Sequence, residues 1–168
     1  MQQTLKQQTV TTTRRFDQPE LDRAYRAPRY RVTLVCEEAG EENVMVHNST
    51  VAASLLRPHL AGLDREHFLV VGLDAKNRVI GINLVSVGSL TVAIVHPREV
   101  FKPLILMSAA AWICAHNHPS GDVTPSQEDR ALTKRLREAG ELLGLNLLDH
   151  LILAGENSYS FADQGWPI

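Results

Sequence analysis

Apolar residues recur along this chain with two different periods, and the switches between them mark out the elements. Phe68-Leu69-Val70-Val71-Gly72-Leu73 is an unbroken apolar run, and Arg78 to about Val87 is a second strand-like stretch. Asp74-Ala75-Lys76-Asn77 between them has the residue types of a hairpin turn, so the pair is expected at the centre of a sheet. Ala109 to Ala115 reads as a buried strand, and Leu145 to Leu153 as another. Tyr30 to Cys36 alternates like a half-buried strand, a polar turn follows, and Val44-Met45-Val46 completes a possible hairpin. Thr91 to Val95 and Tyr159-Ser160-Phe161 are short enough to be edge strands.

Helical spacing appears in three places. Asn48, Ser49 and Thr50 can cap a helix through Ala52, Ala53, Leu55 and Leu56, which Pro58 kinks or ends before Gly62. Pro97 to Met107 turns Val100, Phe101, Leu104 and Ile105 inward. A third helix has Thr124 as N-cap, Pro125 in its first turn and Gln127 completing a capping box. Its apolar face is Leu132, Leu136, Ala139 and Leu143.

Composition changes this picture little. The chain has 168 residues, 44% apolar and 21% charged, which suits one domain with a sizeable core. Residues 1 to 28 lack a sustained apolar period and read as a polar, disordered or loosely attached arm, leaving 29–168 as the domain. The net charge of −2 with neutral histidines provides no general basic field for nucleic acid. Cys36 and Cys114 are the only cysteines, and neither a signal peptide nor a long apolar span is visible, so reduced thiols and a cytoplasmic location are expected, without membrane attachment.

The chemistry concentrates in His116-Asn117-His118-Pro119-Ser120-Gly121-Asp122-Val123-Thr124-Pro125-Ser126-Gln127-Glu128-Asp129. Residues i and i+2 at a strand end project to one side, so His116 and His118 can converge. One turn back from Leu132 the buried helix face carries Asp129, and an unpaired carboxylate there costs several kcal/mol. Two histidines and a carboxylate suit Zn2+ with a fourth position open. Ser126, three residues before Asp129, lies on the same side of the helix and can face that position. Cys114 is either a small core residue or an added thiolate, and His150 either a hydrogen-bonded strand residue or a partner that orients a ligand.

The spacing H-x-H-x7-S-x2-D resembles the JAMM (MPN+) metalloprotease motif. A longer match resembles RadC-like proteins of that superfamily: Arg65-Glu66-His67-Phe68, His96-Pro97-Arg98-Glu99, His116 to Asp129 and Leu148-Asp149-His150-Leu151-Ile152. The resemblance covers roughly residues 60 to 165. It implies an α/β fold in three layers, a mixed sheet flanked by helices in the JAMM/MPN, cytidine-deaminase-like architecture. It also implies zinc on His116, His118 and Asp129, with an upstream glutamate as general base, which by position is Glu66. Glu66 stands at the mouth of the strongest apolar run, where its carboxylate can reach a strand-end site. Glu99 is the alternative, although Pro97 marks it as a first-turn acid favoured by the helix dipole.

The activity implied is hydrolysis of a peptide or isopeptide bond in a peptide or protein substrate, with Ser126 stabilising the oxyanion. Two other classes remain beside it: a DNA-related role such as a metal-dependent nuclease, and a non-catalytic interaction module held by zinc. RadC-like proteins pair such a domain with a helix-hairpin-helix-like region, and these residues show no such pattern.

Overall fold

Alternation along the strands decides the layers of the computed structural model, which describes residues 28, 30–31, 34–37, 44–88 and 95–167. Five strands, β1 His67–Leu73, β2 Val79–Val87, β3 Ala111–Asn117, β4 Asn146–Ala154 and β5 Asn157–Ser160, form one sheet in the order β2-β1-β3-β4-β5. Leu69, Val71 and Leu73 of β1 point to the same side as Ala111, Ile113 and Ala115 of β3. There they pack with Ala52, Ala53, Leu56 and Leu60 of helix α1, Ser49–Leu60. Phe68, Val70, Trp112 and Cys114 point to the other side, against Val100, Phe101 and Leu104 of α2, Pro97–Leu106, and Leu136 of α3, Gln127–Leu143. The result is the three-layer α/β architecture with a mixed sheet. All of these elements lie in the unit spanning residues 32–168.

The position of β3 explains its composition. Every residue from Ala111 to Asn117 is buried, as a strand covered on both faces requires. It pairs antiparallel with β1 and parallel with β4, and α3 makes the crossover that a parallel pair needs. The carboxyl end of β3 therefore lies beside the start of α3, the kind of place where open α/β sheets hold their ligands. The helix packs closely, since a Cβ on Gly140 would lie 2.4 Å from the Leu145 carbonyl oxygen. Gly144 then ends the helix at φ 71°, a left-handed conformation in which glycine carries no Cβ penalty.

Several sequence expectations need correction. The hairpin through Asp74–Asn77 forms, and Asp74 Oδ1 accepts from the amides of Lys76 and Arg78, but only β1 is central. β2 is an edge strand, with Ile80, Leu84 and Val87 between 43% and 49% exposed. Ile105 is 54% exposed rather than inward, and Leu143 is 49% exposed. The buried line of α3 runs through Thr133, Leu136 and Gly140. Pro58 lies inside α1, which continues to Leu60 under the Asn48 cap. Tyr30, Arg31 and Leu34 to Cys36 are in no strand, while Met45 bridges to Arg78 at the start of β2. The arm of residues 1–28 (except 28) and the stretch 91–94 lie outside the described residues. No helix among the described residues is long and apolar enough to cross a membrane.

Candidate metal centre

The start of α3 differs from the sequence expectation, and the difference shapes the site. The N-cap is Ser126, not Thr124. Asp122 Oδ1 accepts from the Thr124 amide at 2.8 Å, which commits Asp122 to Thr124 to a local turn before the helix begins. Ser126 Oγ accepts from the Asp129 amide at 3.0 Å, and Asp129 Oδ2 accepts from the Ser126 amide at 2.8 Å. This is a reciprocal capping box with aspartate at N3. The Ser126 hydroxyl also donates to Asp129 Oδ2 at 2.7 Å. The box fixes the direction of the carboxylate, and its free oxygen, Oδ1, faces His116.

His116, His118 and Asp129 come together as the sequence predicts, each offering a ligand atom within 4.8 Å of the others. His116 Nε2 is 3.0 Å from His118 Nε2 and 3.1 Å from Asp129 Oδ1, and His118 Nε2 is 3.5 Å from Asp129 Oδ2. Ligands held about 2.0–2.2 Å from a tetrahedral zinc stand roughly 3.3 Å apart, so these spacings fit that ion.

Proton placement, assigned from hydrogen-bond partners, makes the same point. The Asp122 carbonyl can only accept, so His118 carries its proton on Nδ1, 2.7 Å away, and turns a lone pair at Nε2 towards the site. For His116 the assignment runs through two further side chains. The Thr133 hydroxyl donates to the Asp129 carbonyl at 2.6 Å, so it accepts from His150 Nδ1, also at 2.6 Å. His150 Nε2 is then an acceptor for His116 Nδ1 at 2.9 Å, leaving His116 Nε2 unprotonated. Two imidazole nitrogens facing each other at 3.0 Å beside a carboxylate call for a cation there, a metal ion or a proton on one of the rings.

The Asp129 carboxylate favours positive charge at the imidazoles, carried by a proton where no metal is bound. Burial pulls the Asp129 carboxyl upward, but hydrogen bonds from protonated His116 and His118, the charge of His116 and the Ser126 hydroxyl outweigh it and hold it well below the usual carboxylate range. The Asp129 carboxylate beside His118 raises that imidazole above its ordinary value. Complete burial pushes His150 well below the usual histidine value, so it stays a neutral imidazole with one donor and one acceptor, as the chain of hydrogen bonds needs. Burial raises the Cys114 thiol, which lies in the core and donates to the Asp149 carbonyl, outside the ligand cluster.

Glu66 lines the same cleft as the three ligands. Two connections hold its backbone. The Asn117 side chain accepts from the His67 amide at 2.8 Å and donates to the Arg65 carbonyl at 3.0 Å, and the Gly88 amide donates to the Glu66 carbonyl at 2.7 Å. Asn117, between the two histidines, therefore fixes the segment on either side of Glu66. Glu99 is absent from the cleft lining, where Val95 and His96 appear from the residues just before that helix.

Asn117 and Thr133 were not singled out by sequence reasoning. Thr133 had a signal, since it lies one helical turn after Asp129 on the buried stripe, where a polar side chain needs a partner. Asn117 had none, because its partners are about fifty residues away in sequence.

Outer partners of metal ligands typically contribute 10–100-fold to metal affinity. Thr133→Val, which keeps the shape but removes the hydroxyl, is expected to weaken zinc binding by about that factor. Thr133→Ser restores the hydroxyl and should recover most of the loss. Chelator competition on both variants measures this, and equal affinity in Thr133→Val and the unaltered protein would show that His116 is oriented by other means.

Comparison with known proteins points the same way. The family described as RadC-like JAB domain matches residues 46–166. The UPF0758 protein of Rubrobacter xylanophilus is 55% identical over 111 residues, 66% of this chain and 48% of that protein. The UPF0758 protein YsxA of Bacillus subtilis is 45% identical over 128 residues, 76% of this chain and 55% of its own length. The UPF0758 protein lmo1549 of Listeria monocytogenes is 47% identical over 137 residues, 81% of this chain and 59% of its own. The chain thus spans about half the length of the curated relatives it matches.

Proposed function

The chain belongs to the RadC-like JAB domain family, and on that premise we propose that it is a zinc-dependent hydrolase of amide bonds acting on a peptide or protein substrate. The observation that carries this reading is the pair of imidazole Nε2 atoms 3.0 Å apart beside the Asp129 carboxylate. His116, His118 and Asp129 are the residues that would hold the ion. Zinc bound there supplies Lewis-acid polarisation and brings the pKa of a water down to about 7.

The side chains around it do the proton work. Glu66 is the general base, taking a proton from the attacking water and returning it to the leaving amine. Asn117 keeps the Glu66 backbone in place for that transfer. The Ser126 hydroxyl has its proton on Asp129 Oδ2, so its first role is to aim the ligand. It becomes an oxyanion donor only when that bond is exchanged for one to substrate.

The test is cleavage of a panel of peptides and isopeptide-linked substrates by protein reconstituted with zinc. Zinc-dependent cleavage, lost on chelation and restored by added zinc, is the expected result. Protein that holds stoichiometric zinc, cleaves none of these and instead cuts single-stranded or branched DNA would overturn the assignment in favour of phosphodiester chemistry.

A further inference from the structure

The cleft around His116, His118 and Asp129 extends well beyond them, and its lining carries both signs of charge. Its volume is about 860 Å³, far more than one ion and a few waters occupy at about 30 Å³ per water. Near the ligands the lining is acidic, with Glu66, Asp122 and Glu128 beside Asp129. Apart from the metal-binding histidines, the basic side chains of the lining are His96 and Arg135. Arg135 lies six residues beyond Asp129 on α3, about 9 Å along the axis at 1.5 Å per residue. Apolar Leu132 lines the cleft between them.

One hydrogen bond ties Arg135 to the segment that carries His96. Arg135 Nη2 donates to the carbonyl of Val95, the residue before His96, at 2.6 Å. The bond fixes the guanidinium, and among the described residues no other acceptor engages it. The cations Lys134 and Arg137 of α3 pair with Glu138 and Glu141, and among the described residues no carboxylate pairs with Arg135. His96 caps α2 without a side-chain hydrogen bond to the helix, and the positive end of that helix adds to the local potential. A planar fork of donors, with an imidazole on the same cleft lining, matches a carboxylate or phosphate and offers little to a neutral group.

We propose that His96 and Arg135 form an anion-binding subsite that selects substrates carrying a carboxylate or phosphate group some distance from the bond at the metal. Extended peptide spans about 3.3–3.6 Å per residue, which places the anionic group two to three residues from that bond. The assignment to substrate rests on the hydrolase reading, whereas anion binding itself does not.

Zinc-loaded protein titrated with N-acetylglutamate, inorganic phosphate and neutral N-acetylglutamine, followed by amide NMR, tests it. The two anions should shift Val95, His96 and Arg135 saturably, and the neutral probe should not. Arg135→Gln, on an exposed helix face, should keep its zinc and lose about ten- to hundredfold in anion affinity, the usual worth of a hydrogen bond to a charged group. The tighter anion identifies the source of the negative group. Equal binding of the neutral probe, shifts confined to the metal ligands, or unchanged affinity in Arg135→Gln would each overturn the subsite. Since no turnover is read, failure here leaves the hydrolase reading intact, and anion binding without any cleavage counts against that reading alone.

Discussion

Asp129→Ala is expected to abolish zinc binding, taking the metal content of purified protein from one ion per chain to none. The carboxylate is the sole anionic ligand, and without it two neutral imidazoles must hold a dication alone. Its orientation also depends on the Ser126 box, so no neighbouring acid takes its place: Asp122 and Glu128 are exposed at the cleft edge. His118→Ala should behave alike. The loss extends to stability. A ligand present at a thousand times its Kd adds about 4 kcal/mol, which for a chain of this size is roughly 8–16 °C in Tm. Wild type should therefore show a zinc-dependent rise in Tm of that order, and Asp129→Ala none. Elemental analysis and thermal melts with and without zinc measure both. Metal retained at full stoichiometry in Asp129→Ala would refute the ligand assignment.

Glu66→Gln should keep its zinc and lose turnover. The amide has nearly the shape of the carboxylate but cannot accept a proton from water, and a positioned general base typically contributes about 10²–10⁴ in rate. Asn117→Ala should reach part of that loss by another route. It removes both hydrogen bonds flanking Glu66 and touches neither imidazole, so zinc affinity should hold while rate falls, as far as about 10²-fold if the carboxylate moves by about 1 Å. Asn117 is buried, and its loss also leaves the His67 amide and Arg65 carbonyl without those partners. A thermal melt on the same variant separates lost stability from lost rate. If Glu66→Gln turned over like wild type on a zinc-dependent substrate, Glu66 would not be the base.

How much of this was legible in the sequence follows from the reach of each interaction. The His-x-His pair at a strand end, the Asp129 ligand and the Asp74–Asn77 hairpin depend on residues a few positions apart, whose geometry is set by strand and helix periods. Even there the helix start was misplaced by two residues, because Thr124-Pro125 and Ser126-x-x-Asp129 carry competing cap signals. The choice rests on which N3 side chain completes the box: Asp129 does so with Ser126, whereas the Thr124 amide is bonded to Asp122 and not to Gln127.

The rest depends on separations that no local pattern encodes. His150 meets Thr133 across 17 residues and His116 across 34, and Asn117 meets His67 across 50. These contacts exist because β3 lies between β1 and β4 with α3 packed over them, an order decided by burial of whole faces. The same packing left β2 at the edge, although its sequence resembles a core strand. The sequence by itself determined that His116, His118 and Asp129 come together as a cluster able to hold a metal. Only the tertiary structure decided which imidazole nitrogens carry protons and what holds Glu66, since a hydrogen bond is satisfied by proximity in space, whatever the distance along the chain.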